Sequence, residues 1–328
     1  MNSFIRKWAL KIGLVTLGAA SVVQTASAGS IAYDTEMVNL IQELHDYKQA
    51  KRPSFELMAN GGSPLFLPYD GNTTQNVSRL IQSLDGQLAE SVFYGYDGKD
   101  GEKTPQESCA YFKETLAVPQ RAGIPVFSLD YVSNSGQAEE SYRLNRQYGY
   151  ISWASTHRNL DYLPEDAPPA VNSSDCNTLK DVQNFLVLLN PGHFSSKQDY
   201  LQSLQDSPYD LLIIDLYCED KPLTAAEVAV LRTKPQGGRR LVLAYMSVGE
   251  AEEYRSYWQA DWKQKKPSWI AGTNEDWGSH RVRYWQPQWK HILFGSPDAY
   301  LDTILAAGFD GAFLDVVDVY QYFRDKKN

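Results

Sequence analysis

Short runs of β-favouring apolar residues recur along the chain, and nearly all are continuous, not alternating: FELMAN (55–60), ESVFYGY (90–96), IPVFSLDYV (124–132), YGYISWA (148–154), NFLVLLN (184–190), YDLLIIDLY (209–217), RRLVLAYMSV (239–248) and GAFLDVV (311–317). A strand without a polar face is buried on both sides, the condition of a parallel sheet covered by helices. Between these runs lie stretches with apolar residues at helical spacing, among them EMVNLIQELHDYKQA, NVSRLIQSL, AEESYRLNRQY, KQDYLQSLQ, TAAEVAVLR and DAYLDTILAAG. Alternation of the two patterns means βα units. RVRYW (281–285) makes a ninth candidate for the eight positions of a closed barrel, so either it or YGYISWA is expected to be peripheral. A doubly wound open sheet is the competing arrangement, but no GxGxxG follows a strand and no P-loop marks a nucleotide site. The expected fold is therefore α/β, a (β/α)₈ barrel. Residues 157–183, rich in Pro, Asn, Asp and Ser, read as a surface connection within it.

The first residues are basic (MNSFIRKWALK), the next run is apolar (IGLVTLGAASVVQT), and ASA at 26–28 offers small residues for cleavage, so residues 1–28 are expected to be a signal peptide. The apolar run is too short for a spanning helix and no cysteine follows the cleavage point, which points to a periplasmic or secreted protein with no membrane attachment after cleavage. About 300 residues remain for one domain, 29–328, enough for one large barrel. The leader carries Arg6, Lys7 and Lys11 and no acidic residue, so its removal takes the formal charge from −9 to −12. Nucleic acid is excluded as a partner by that sign, and a cationic ligand would be attracted. Three cysteines (Cys109, Cys176, Cys218) allow at most one disulfide and leave one thiol over. The five histidines occur singly, with no HExxH, paired Cys-x-x-Cys or EF-hand loop, so no metal and no cofactor is expected.

In a barrel, functional groups sit where strands run into the following loops. Asp215 ends LLIID, Asp315 ends GAFLD, Asp130 ends VFSLD, Asn60 ends FELMAN and Glu90 begins or precedes SVFYG, while Glu250, Glu252, Glu253 and Arg255 follow the strand RRLVLAYMSV. One carboxylate after a strand can simply cap the next helix or pair with an arginine. Five or six at one end of one barrel raise one another's pKa, so that one carboxyl stays protonated while another stays ionised, as cleavage of a glycosidic bond requires. Tyr94, Tyr217, Tyr245, Trp258, Trp277, Tyr284 and Trp285 lie near expected strand ends or loops, where ring faces could pack on sugars.

At GFDGAFLDVVDVYQYF and LAYMSVGEAEEYRSYW the sequence resembles glycoside hydrolase family 114, the endo-α-1,4-polygalactosaminidases, and especially its bacterial and archaeal branch. YDLLIIDLY and PSWIAGTNEDWGSHRVRYWQPQW also resemble that family, so residues 184–323 match its first portion. Segments similar to its later portion stand ahead of these: ELHDYKQAKRPSFELMANGG, LDGQLAESVFYGY, IPVFSLDYV and RLNRQYGYISWA. The resemblance thus implies a barrel circularly permuted relative to the family, with the family's end and beginning joined through residues 157–183. It also implies a glycan-cleaving activity on a galactosamine-containing polysaccharide and a catalytic pair, Asp315 and Glu90, at opposite ends of the sequence. Asp215, Glu252 and Asp318 match other polar positions of the family and are expected to bind sugar or tune the pair, with Asn60, Asp130, Arg255, Tyr94, Tyr217, Tyr245 and Trp285 as further candidates for the cleft. AESVFYG around Glu90 departs from the fungal pattern, which bears on substrate more than on chemistry.

Overall fold

The computed structural model describes residues 31–218 and 221–326; the expected leader lies outside them. Eight parallel strands form one sheet: β1 Glu56–Asn60, β2 Gly86–Glu90, β3 Val126–Tyr131, β4 Ile151–Ser155, β5 Phe185–Leu188, β6 Leu211–Ile214, β7 Leu241–Ser247 and β8 Gly311–Asp315. Their order around the sheet follows the chain and then closes, β8 pairing in parallel with both β7 and β1. No ladder joins β4 to β5. There the ring is completed by the Leu160 carbonyl, which accepts from the backbone N–H groups of Leu189 and Asn190 at 2.9 and 3.1 Å, and by Trp153 packed edge-on against Phe185. The result is a (β/α)₈ barrel.

Side-chain alternation decides what faces its centre. On β3, Phe127, Leu129 and Tyr131 belong to the main core, whereas Val126 and Val132 belong to a second apolar cluster with Ala89, Val92, Phe93, Tyr94 and Leu116, outside β2 and β3. Helices α1 Tyr33–Lys51, α2 Thr74–Ser83, α3 Gln106–Arg121, α4 Ser135–Gln147, α5 Lys197–Asp206 and α6 Ala225–Leu231 are followed by α7 Pro287–Leu293, α8 Tyr300–Ala306 and α9 Val319–Asp325. Helix α1 precedes β1 and fills the slot between β8 and β1 in the outer ring. It is tied to α7 by Glu43–Lys290 (2.7 Å), to α8 by the Tyr47 hydroxyl on Asp302 (2.5 Å) and to α9 by Asp34–Arg324 (3.4 Å).

Of the two candidates for the surplus strand, YGYISWA supplies β4, and RVRYW begins in the central strand of a small antiparallel sheet (250–251, 279–282, 270–274) inserted after β7. The run ESVFYGY is placed differently from expectation, because the strand is GQLAE and ends at Glu90. Ser91 takes φ 57° and stops it, and Val92, Phe93 and Tyr94 turn out to the second apolar cluster. The apolar letters that read as strand are thus loop anchors.

No α-helix links β4 to β5. Residues 157–183 descend in extended form, with Leu160, Cys176, Leu179 and Val182 buried, and end in a single 3₁₀ turn at Leu179–Asp181. Asn172 of this segment and the Gln183 N–H both reach Asp210 (2.9 and 3.0 Å), itself paired with the fully buried Lys234 at 2.7 Å. The connection is therefore clamped to the barrel at Asp210. Cys109, Cys176 and Cys218 form no disulfide with one another. No helix of the described residues is long and apolar enough to cross a membrane.

Candidate active site

Three adjacent strands, β8, β1 and β2, end in Asp315, Asn60 and Glu90, which are 3, 5 and 5 % exposed. The parallel register brings these ends together, and the Asn60 amide donates from one nitrogen to both neighbours, to Glu90 Oε1 at 2.7 Å and to Asp315 Oδ1 at 2.8 Å. The remaining Glu90 oxygen, Oε2, accepts from the Tyr131 hydroxyl at the end of β3, at 2.6 Å. Each of the three polar residues is followed by one in the left-handed region: Gly61 at φ 72°, Ser91 at 57° and Val316 at 61°. A β-branched residue there is strained by about 1–3 kcal/mol, and such strain gathers at functional sites. Gly249 shows why the Val316 turn has no room to relax, since a Cβ on that glycine would stand 2.3 Å from the Val316 carbonyl oxygen.

Burial, and then the charge of Glu90, push the Asp315 carboxyl up to about 8, with Asn60 and the Tyr245 hydroxyl pulling the other way. Asp318, at the N-cap position of α9 but not capping it, is pushed up to about 6 by burial and by Glu250, and lies against Gly61. One carboxyl ready to hold a proton beside a second that accepts two donors is the arrangement required for acid–base work on a glycosidic oxygen.

Next to this group stands an ion cluster. Arg255 grips Asp215 with two parallel bonds of 2.7 and 2.8 Å and donates to Glu252 at 2.6 Å, all three side chains being buried. Burial opposes the guanidinium charge, but Asp215 and Glu252 more than offset it and hold Arg255 well above its ordinary pKa. Its guanidinium lies 5.5 Å from the Tyr245 ring centre, and 4.8 to 6.0 Å from those of Tyr254, Tyr300 and Tyr217. Tyr245 therefore touches both groups, Asp315 through its hydroxyl and Arg255 through its ring.

Four other candidates stand apart from the carboxyl pair. Asp130 points outward from β3 and is fully engaged there, accepting from the N–H groups of Phe93 and Tyr94, the Ser141 hydroxyl and the Asn145 amide. Tyr94 lies in the second apolar cluster. Trp285 packs 5.1 Å from Tyr33 and 4.8 Å from Phe323 and lines a separate surface cleft of about 400 Å³. Tyr217 bonds Ser256 at the edge of another cleft, toward α7 and α8. Tyr131 was not singled out by sequence. The signal was there, since alternation along SLDY turns Tyr131 inward if Leu129 is core. Among the described residues, no group of three or more His, Cys, Asp or Glu side chains is arranged to hold a metal ion.

With this geometry in place, comparison with known proteins is informative. The chain is 42% identical over 126 residues to a protein of Deinococcus radiodurans described only as uncharacterized, a match covering 38% of each chain. It is 36% identical over 128 residues to an uncharacterized protein of Methanocaldococcus jannaschii (38% of this chain, 35% of that one) and 36% over 85 residues to one of Thermotoga maritima (26% and 25%). These matches span between a quarter and two fifths of the relatives' length. The family model described as Glycoside-hydrolase family GH114 matches residues 165–328, half of the chain, including β5 to β8 and Asp315. The chain belongs to glycoside hydrolase family GH114.

Proposed function

We propose that the protein is an exported, endo-acting hydrolase of an α-1,4-linked, galactosamine-containing polysaccharide, with Asp315 and Glu90 as its catalytic pair. The observation that carries the hydrolase reading is the Asn60 amide held between the two carboxyls. Two hydrogens on one planar nitrogen diverge by roughly 120°, so the two bonded oxygens stand about 5 Å apart, nearer the ~5–5.5 Å carboxyl spacing of retaining enzymes than the ~6.5–9.5 Å of inverting ones. In the corresponding reaction one carboxyl protonates the glycosidic oxygen as the other attacks the anomeric carbon, expelling the leaving sugar and forming a glycosyl ester. Water, deprotonated by the first carboxylate, then attacks the same carbon and releases the second. The pair must share one proton at the outset, and the raised Asp315 supports that condition.

The substrate class rests on the motif resemblance and on the −12 charge left once the leader is removed, which suits a glycan bearing free amines. Export rests on the leader. The permuted order rests on the arrangement of motifs, and two features support it: helix α1 fills the slot after β8, and the unladdered joint of the barrel falls at β4 and β5, where the family's own ends would meet. Adjacency of β8 and β1 alone does not discriminate, because any closed barrel joins its last strand to its first.

Purified protein assayed by reducing-end release on a panel of polysaccharides that includes deacetylated galactosaminoglycan should cleave the latter, giving product of retained configuration by NMR. Asp315→Asn and Glu90→Gln should each lower turnover at least ~10³-fold while leaving the circular dichroism spectrum intact. Binding without turnover would favour a non-catalytic polysaccharide-binding barrel, cleavage of another polymer would replace the substrate, and full activity in either variant would overturn the pair.

A further inference from the structure

We infer that Tyr131 is a positioning residue for Glu90, and that Arg158 of the β4–β5 connection fixes it in that role. The inference deepens the proposed function and rests on it. The Tyr131 hydroxyl donates to Glu90 Oε2 at 2.6 Å, and the Arg158 guanidinium carbon lies 3.9 Å from the centre of the Tyr131 ring. Arg158 is itself held, donating to Asp100 at 2.6 Å and to the Gly95 carbonyl at 3.1 Å. Gly95 allows the three to meet. It takes φ 103°, and a Cβ there would stand 2.8 Å from the Ser91 hydroxyl, 2.9 Å from Tyr131 Cβ and 3.0 Å from an Arg158 nitrogen. The loop that follows Glu90 is thus folded back so that its backbone carries the arginine, the arginine covers the phenol, and the phenol returns to the carboxylate.

The groups that act on Glu90 from the surrounding elements are Asp315 and Asp318 from β8 and its following turn, Asn60 from β1 and Tyr131 from β3, with Arg158 behind the ring. Asn60 donates equally to Glu90 and Asp315, so it favours neither. Tyr131 donates to Glu90 alone, and burial and Glu90 itself keep the phenol well above its ordinary pKa, so it stays a donor throughout. A guanidinium against the ring polarises the hydroxyl toward stronger donation. The phenol thereby fixes the direction of Glu90 Oε2 and presents it with a donor that Asp315 does not share.

Tyr131→Phe keeps the ring and its stacked arginine and removes only the hydroxyl. On a glycan that the wild type cleaves, kcat should fall about 10–100-fold with KM within about twofold, and the acidic limb of the kcat/KM profile should move up by about one pH unit. Arg158→Gln should move the same limb in the same direction by less. A lowered Tm with both limbs unmoved would mean that Tyr131 only packs, and would overturn the inference. The Glu90 carboxyl carbon, followed by NMR in protein labelled at glutamate Cδ and identified by its loss in Glu90→Gln, gives a reading independent of turnover. If the wild type cleaves no glycan, the proposed function fails, while an unchanged Glu90 titration in Tyr131→Phe separately overturns the positioning.

Discussion

Asp315 is buried beside a second carboxyl, and its pKa of about 8 in the folded state against an ordinary value near 3.8 makes a statement about stability. A carboxyl whose pKa is raised by folding contributes stability fully present below its unfolded value and lost as pH rises through the folded one. The protein should therefore lose stability between about pH 4 and pH 8, and Glu56, pushed up to about 7 chiefly by burial at the start of β1, acts in the same sense. Asp315→Asn should flatten that slope, raising stability by on the order of 2 kcal/mol at pH 8 and little at pH 4, readable from urea titrations at the two pH values. A slope as steep in the variant as in the wild type would assign it elsewhere. Asp315 and Asn60 were legible in the sequence because each closes an apolar run, whereas Glu90 was read at the start of one and was singled out by the family resemblance. Tyr131 was not, because Asp130 beside it has the more conspicuous chemistry but the outward-facing position.

Among the elements, the barrel strands were legible, and the hold of the 157–183 connection on the barrel was not. Residues 157–183 look like surface loop by composition, yet they replace a helix, and their hold on the barrel is the Asp210–Lys234 pair. Both charges are wholly buried and both serve the segment, Asp210 through Asn172 and Gln183, Lys234 through the Ser174 carbonyl at 2.7 Å. Lys234→Met should cost about 3–5 kcal/mol in chemical denaturation, because Asp210 is left charged and unpaired, and converting both positions to apolar residues should recover much of it. A loss below about 1 kcal/mol would mean that the clamp is not what seats the segment. Composition alone does not tell which polar residues satisfy one another inside the protein and which face water.

Over the whole molecule, the barrel has one joint that no strand ladder or helix crosses, between β4 and β5, while in the outer ring α9 and α1 meet where Arg324 reaches Asp34. Linking residue 326 to residue 33 through a short flexible segment and reopening the chain within 163–175 would restore the family order proposed above. That rearranged chain should fold to the same barrel with Asn60, Glu90 and Asp315 in place, as judged by circular dichroism and by glycan cleavage equal to that of the original. Failure to fold would count against the permuted reading. The joint at β4 and β5 rests on a few backbone bonds, so amides of β4 should exchange with solvent faster than those of β1 or β8. The hydrogen bond from Asn60 to Asp315 spans 255 positions of sequence. A ribosome therefore finishes Glu90 long before Asp315, and a chain interrupted between the two holds one half of the pair without the other. Assembly of the site coincides with the pairing of β8 to β1, so a chain that has not reached β8 has no pair of opposed carboxyls to offer a sugar.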